Sequence, residues 1–269
     1  MGEDVPVAHL LSVNVGRPRE ADWAGIGRTS IDKTALTGAV RVGRLGLDGD
    51  EVSDTRHHGG PDQAVYAFAR EDLDHWEGEL GQPIPDGQFG ENLTTSGIDV
   101  NEAEIGERWQ VGEVLLEVRS VRTPCNDFKV WMGRTGYDST AWVRRFAQVA
   151  RPGPYLRVLG EGVLRAGDDL TVVHRPGHGV TVSTMFRALN TDHSLLPRLL
   201  EAREQGLSLR ITTAMEEREK SWQRKAMAKV RAQVVRLPGW TRSLSENTAS
   251  GHPSWLSSGR SSSRAIPLS

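Results

Sequence analysis

At 269 residues, the chain is long enough to bury a sizeable core, and its single cysteine excludes an internal disulfide. With 33 basic and 35 acidic residues the formal charge is −2, which provides no global basic field for a nucleic acid. No apolar run approaches the roughly 20 residues that span a bilayer, and the start Met1-Gly2-Glu3-Asp4 lacks the basic-then-apolar order of a signal peptide. The expectation is a cytoplasmic protein with a free thiol, bound neither to nucleic acid nor to a membrane.

In chain order, residues 7–15 are rich in β-branched side chains and read as a strand that stops at Gly16. A second strand spans 38–47 and runs into the turn Asp48-Gly49-Asp50. After His57-His58-Gly59-Gly60-Pro61-Asp62 comes a short strand over 64–68. Leu73, Trp76 and Leu80 have helical spacing, so 70–80 is a short amphipathic helix. Phe89-Gly90-Glu91-Asn92-Leu93 follows as a second unusual loop. Residues 108–111 and 114–118 flank Gly112-Glu113 as a hairpin. Its second strand delivers the chain to Arg122-Thr123-Pro124-Cys125. A helix capped by Asp138 or Ser139 runs to Ala150, and strands over 154–159 and 169–174 complete the pattern. Short strands separated by glycine turns predict a β-barrel or closed sheet with peripheral helices.

Near residue 178 the pattern becomes helical, with helices over 182–189, 192–205 and about 208–235. The expected division is a barrel domain over 1–178, a helical domain over 179–235 and a disordered Ser-rich tail over 236–269. Lys220, Arg224, Lys225, Lys229 and Arg231 give the last helix a basic face. That face reads first as solvated and second as a docking surface for an acidic partner, with Trp222 suited to an interface.

Three loops hold the candidates for chemistry. A lone cysteine is often only a small buried hydrophobe. Around Cys125, however, Pro124 ends any regular strand, Arg122 favours a thiolate, and Asn126-Asp127 reads as a polar loop. His57 and His58 are adjacent, so they point different ways and make a poor zinc pair. Gly59 and Gly60 allow the backbone beside His58 to approach an anion or a ring edge. Glu91 and Asn92 offer acceptors and donors able to read a heterocycle. Nucleotide phosphate loops of the GxGxxG or GxxxxGK[ST] type are absent, as is a GxSxG nucleophile motif.

Taken together, Ser30-Ile31-Asp32-Lys33, Leu45 to Asp50, His58 to Val65, Phe89 to Leu93, Arg122 to Cys125 and Pro154 to Leu159 resemble the MOSC (molybdenum cofactor sulfurase C-terminal) family, most closely its YiiM-like branch. The resemblance covers about residues 7–175, and the helical segment resembles the three-helix domain that follows in this branch. It implies an α+β, MOSC-type barrel and a molybdenum cofactor (Mo-molybdopterin) with Cys125 as the metal ligand. A soft thiolate suits such a sulfur-rich centre. Relatives with assigned activities reduce N-hydroxylated compounds, so a small N-hydroxylated substrate is implied. One cysteine cannot hold an iron–sulfur cluster, so electrons are expected from a separate reductase, a flavin or iron–sulfur protein, with the helical segment a possible docking surface.

On this reading Arg122 stabilises the thiolate or the cofactor phosphate. His58, with Gly59 and Gly60, lies near cofactor or substrate and donates a proton to the leaving hydroxyl. Glu91 and Asn92 recognise the pterin. Arg157 is a second phosphate anchor or a cross-strand salt bridge, and Asp62 fixes its own turn. Asn126-Asp127 departs from the family's usual aromatic or hydrophobic follow-on. Two alternatives stand beside the reductase: a sulfur carrier with a persulfide on Cys125, and a non-catalytic cofactor- or partner-binding module.

Overall fold

The computed structural model describes residues 8–202 and the helical positions 220, 221, 223–225, 227 and 228. The chain opens with β1 (His9–Val15), followed by the short strands β2 (Arg19–Glu20), β3 (Arg28–Thr29), β4 (Thr34–Ala35), β5 (Val40–Gly43) and β6 (Gly46–Leu47). Next come β7 (Val65–Ala69), α1 (Arg70–Leu80), β8 (Leu93–Ser96), β9 (Arg108–Val111) and β10 (Val114–Val121). Two helices, α2 (Asn126–Arg134) and α3 (Trp142–Val149), precede β11 (Pro154–Gly160), β12 (Gly162–Leu164) and β13 (Leu170–His174). The chain then turns helical with α4 (Val182–Asn190) and α5 (Leu196–Glu201).

Eight strands form one sheet in the order β13-β9-β10-β11-β7-β8-β1-β4. Only β7 and β8 are parallel, as their connection through α1 requires. The sheet curls until β1 meets β13: Leu10 N–H donates to Asp168 O at 2.9 Å and Leu170 N–H to Ala8 O at 2.7 Å. In this way β13 at one end of the order bonds β1, which at the other end is followed only by the two-residue strand β4. The expected closed sheet with peripheral helices is therefore present.

Several boundaries differ from expectation. Residues 38–47 are not one strand. They fold back as the β5–β6 hairpin, with Val42 opposite Leu47 and Gly46 at φ 132°, a backbone state that needs glycine. The helix expected from Asp138 starts at Trp142, because Asp138 spends its carboxylate on Thr140 N–H in a preceding turn. α2 lies where a polar loop was expected. Phe128, Trp131 and Met132 stand at i, i+3 and i+4 and are all buried, and this spacing is its sequence signal.

Two aromatic residues tie the site's two loops together. Phe89 and Phe128 meet at 5.2 Å between ring centroids, and both pack on Trp142, at 5.7 and 5.4 Å. All three are fully buried. The loop before β8 and the first turn of α2 thus share one rigid floor.

The first helix after residue 178 packs on the barrel. Val182, Met185 and Phe186 are buried, and Ser183 Oγ donates to Ala150 O at 2.7 Å, so α4 finds the partner for its apolar face in the barrel domain. The chain divides instead into Met1–Trp222 and Gln223–Ser269. The helix expected over 192–205 is a 3-10 turn at His193–Leu195 followed by α5, with Pro197 in its first turn. Of the basic helix face, Lys220, Arg224 and Lys225 are helical and exposed. Trp222, Lys229, Arg231 and the Ser-rich tail lie outside the described residues. Among those residues no helix is long and apolar enough to cross a membrane.

Candidate functional site

A cleft of about 830 Å³, open to solvent, is lined by the end of β10, the early residues of β7 and β11, the loop before β8, and segments 26–33 and 50–59. Cys125, Arg122, His58, Gly59 and Asn92 all reach it. β10 ends at Val121, and Pro124, with no N–H to give a ladder, lets the chain leave the sheet. Cys125 is then the N-cap of α2, with Sγ accepting from Phe128 N–H at 3.4 Å. The sulfur is half-buried and stands at the N-terminal end of the helix. Asn126 and Asp127 are therefore the first turn of a helix. Asp127 also accepts from Gly25 N–H at 3.2 Å.

Arg122 is 6% exposed. Its guanidinium lies over Phe128 at 4.5 Å and over Tyr66 at 5.4 Å, and it bonds the Tyr155 hydroxyl. Nε has no hydrogen-bond partner, and Arg122 forms no ion pair among the described residues. A guanidinium stays cationic, so this is a buried positive charge with no carboxylate in direct contact, a costly state in a protein interior. Burial also raises the phenol pKa of Tyr155, so the hydroxyl stays neutral and offers no compensation.

Lys33 and Asp50 enter the same cleft as an ion pair, each side chain 8% exposed. Burial lowers the Lys33 pKa, and Asp50 opposes the shift. Asp50 also accepts from Gly16 N–H and Asn92 Nδ2, both at 2.8 Å. Asn92 completes the lock: Oδ1 accepts from Tyr66 N–H at 3.1 Å, and Nδ2 donates to Asn14 O at 3.2 Å. The amide expected to read a ligand is thus spent on holding β7, β1 and Asp50 in register.

Glu91 is corrected more strongly. Its carboxylate is fully buried and stands outside the cleft lining. It accepts from Gly87 N–H at 2.6 Å, Phe89 N–H at 3.0 Å and Thr94 Oγ1 at 3.1 Å, so it builds its own loop. Burial pushes its pKa up to about 7 from 4.5. Between those values the unfolded chain ionises Glu91 and the folded chain does not. Stability is therefore expected to fall as pH rises from 4.5 to 7, by about 3 kcal/mol for this group alone, and to level off above. Urea unfolding of the wild type and of Glu91→Gln across that range isolates the effect. A difference between them that stays flat with pH would show that Glu91 ionises normally.

His58 lines the cleft, and its pKa is lowered by burial and then by the charge of Arg122, so its imidazole is neutral at pH 7. His57 points away and bonds Asp54 Oδ2 at 2.7 Å. Gly59 and Gly60 take φ of 74° and 79°, but only Gly59 reaches the cleft. Arg157 stands outside. It pairs with Asp62, which Arg119 also approaches at 3.2 Å, so Asp62, in the 3-10 turn Pro61–Gln63, accepts from arginines of β11 and β10. The phosphate-anchor role for Arg157 is replaced by this salt bridge.

Sequence reasoning gave no role to Lys33, Asp50, Tyr66 or Tyr155. The first two stand in quoted stretches, Ser30 to Lys33 and Leu45 to Asp50. Nothing in their spacing shows that residues 17 positions apart form a buried pair.

A model of the MOSC domain matches residues 54–171. The chain is 32% identical over 174 residues to the uncharacterized protein YflK of Bacillus subtilis, covering 64% of this chain and 76% of YflK. It is 31% identical over 195 residues to a protein named a reductase from Gibberella moniliformis, covering 70% of this chain but 34% of that one. The crystal structure of YiiM from Escherichia coli superposes with a TM-score of 0.61 at 25% identity, over 80% of this chain and 94% of that one. Cleft, closed sheet and sequence agree, and the chain belongs to the MOSC domain family, in its YiiM-like branch.

Proposed function

We propose that this protein binds a molybdenum–pterin cofactor in the cleft and reduces small N-hydroxylated compounds with electrons from a separate flavin or iron–sulfur reductase. The observation that carries the reading is Arg122: a buried guanidinium with an unpartnered Nε, three residues before a thiol that lines the same cleft. The donor set fits such a group. Cys125 offers a soft sulfur for the metal, and Arg122 offers its free edge to an anionic phosphate. Gly90 keeps the approach open, since a Cβ there would stand 3.1 Å from Ile31 Cγ1 and 3.8 Å from Arg122 Nη1.

When bound, the metal centre supplies the two-electron reduction of an N–O bond. The chain does the rest. Lys33, neutralised by Asp50, adds a donor without a second net charge. His58, as a neutral imidazole, offers a ring N–H to the substrate's hydroxyl oxygen. The relative named a reductase supports a redox role, although this chain spans about a third of it.

The test is to make the protein in a host that synthesises the cofactor. Stoichiometric molybdenum with pterin fluorescence is expected, and so is turnover of an N-hydroxylated purine with an artificial reductant. Metal-free protein with cyanide-labile sulfur on Cys125 would replace this reading with the sulfur carrier. Metal with no turnover would leave a binding module.

A further inference from the structure

The β2–β3 hairpin stands apart from the barrel sheet and supplies Arg28 and Thr29, and its turn Ile26, to the cleft wall. Arg19 pairs with Asp32 at 2.8 Å, joining the start of the hairpin to the chain just beyond it. On one side of the cleft the hairpin is held by α2 through a four-layer stack. Arg19 lies over Trp131 at 5.2 Å, Trp131 stacks on Trp23 at 6.4 Å and 22°, and Arg134 covers Trp23 at 5.9 Å. Gly25 N–H adds a bond to Asp127. On the other side Arg28 Nη2 donates to Ser53 O at a long 3.4 Å, and Ser30 and Ser53 hydroxyls meet at 2.6 Å.

These contacts are unequal. Trp131 is 6% exposed and belongs to the core, with Nε1 donating to Gln88 O at 2.8 Å. Trp23 is half-buried, and β2 is exposed along its length. The hairpin buries only the small side chains Ala21, Ala24 and Thr29, and it rests on a fixed platform through one aromatic face and a few exposed or part-buried polar bonds. Elements with so few buried apolar contacts open at low free-energy cost. Ile26, 46% exposed while facing the cleft, is an apolar edge left at the mouth.

We propose that the hairpin over residues 19–29 is a flap that gates access to Cys125, latched by the stacking of Trp23 on Trp131. The inference does not depend on what the cleft binds. Its consequence is that Trp23, 102 residues before the sulfur and on a different element, sets how often reagents reach it through its stack on Trp131.

The chain has one cysteine, so alkylation of the full-length, cofactor-free protein reports on Cys125 alone. The rate with iodoacetamide, and with a bulkier maleimide, is measured across pH and extrapolated to the fully ionised thiol, which separates access from acidity. Trp23→Ala is expected to raise that limiting rate about fivefold, more for the maleimide, with the acidity of the thiol unchanged. Trp23→Phe, which keeps a ring on Trp131, is expected to restore the slow rate. A limiting rate in Trp23→Ala within twofold of wild type would overturn the flap, as would a change carried wholly by thiol acidity. Should Trp23→Ala fail to fold, Arg134→Ala removes only the outer layer. It is then expected to raise the limiting rate by about twofold, and an unchanged rate there overturns the proposal.

Discussion

Replacing Cys125 by alanine is expected to strip molybdenum from protein made in a cofactor-producing host while leaving the fold in place. The sulfur has two jobs that separate energetically. As N-cap it accepts from Phe128 N–H at 3.4 Å, a long bond, so its loss costs about 1 kcal/mol or less. As the proposed metal ligand it is the only thiol in the chain, and alanine supplies nothing in its place. Serine sharpens the comparison, because its hydroxyl caps the helix well but is a hard ligand. Metal content should therefore follow sulfur, and melting temperature should follow the cap. Wild-type molybdenum in Cys125→Ala would remove the thiol from the metal site.

The second large effect is expected at Arg122. Burying a lone guanidinium costs several kcal/mol, which stacking on Phe128 and Tyr66 and the bond to Tyr155 offset in part. Arg122→Met keeps the length and apolar contacts of the side chain and removes the charge. The cofactor-free variant is expected to match or exceed wild-type stability by about 1 kcal/mol, yet to lose pterin and molybdenum. Denaturant unfolding of both cofactor-free proteins, with metal and pterin analysis of both loaded proteins, reads the two effects. A variant that unfolds far more easily and still loads cofactor would make Arg122 a structural residue. The predicted opposition has a physical basis: a charge retained at a cost to the folded chain is one whose partner arrives from outside.

The two positions also show how far a sequence reaches into a site. Arg122 and Cys125 lie on one short stretch, and the proline between them and the apolar run before them are local signals. Both side chains line the cleft. Four other polar residues, Glu91, Asn92, Arg157 and Asp62, depend on more distant partners. Glu91 and Asn92 look like ligand readers because they are polar and lie in a glycine loop. Their partners are Gly87, Phe89 and Thr94 for the one, and Tyr66, Asn14 and Asp50 for the other. Arg157 and Asp62 lie 95 residues apart, and their pair joins β11 to the 3-10 turn before β7. A polar residue's type shows that it needs a partner. Which partner it takes depends on strand register.

Helix α2 is a nearer miss. Its apolar spacing was present in Phe128, Trp131 and Met132, but cysteine is not a usual capping type, and Asn-Asp after proline reads as a loop. The consequence is geometric, since the cap holds the sulfur on the first turn of α2 through Phe128 N–H.

By itself the sequence determined the strand-rich pattern, the family, the lone thiol and the arginine beside it, because each rests on residues close together in the chain. Only the tertiary structure decided which polar groups are free. It placed Lys33 against Asp50, consumed Glu91 and Asn92 inside their own scaffold, and left the Arg122 Nε without a partner. The reason is that hydrogen bonds and burial are properties of neighbours in space. In a sheet whose first strand bonds its last, those neighbours are contributed by segments far apart in the chain.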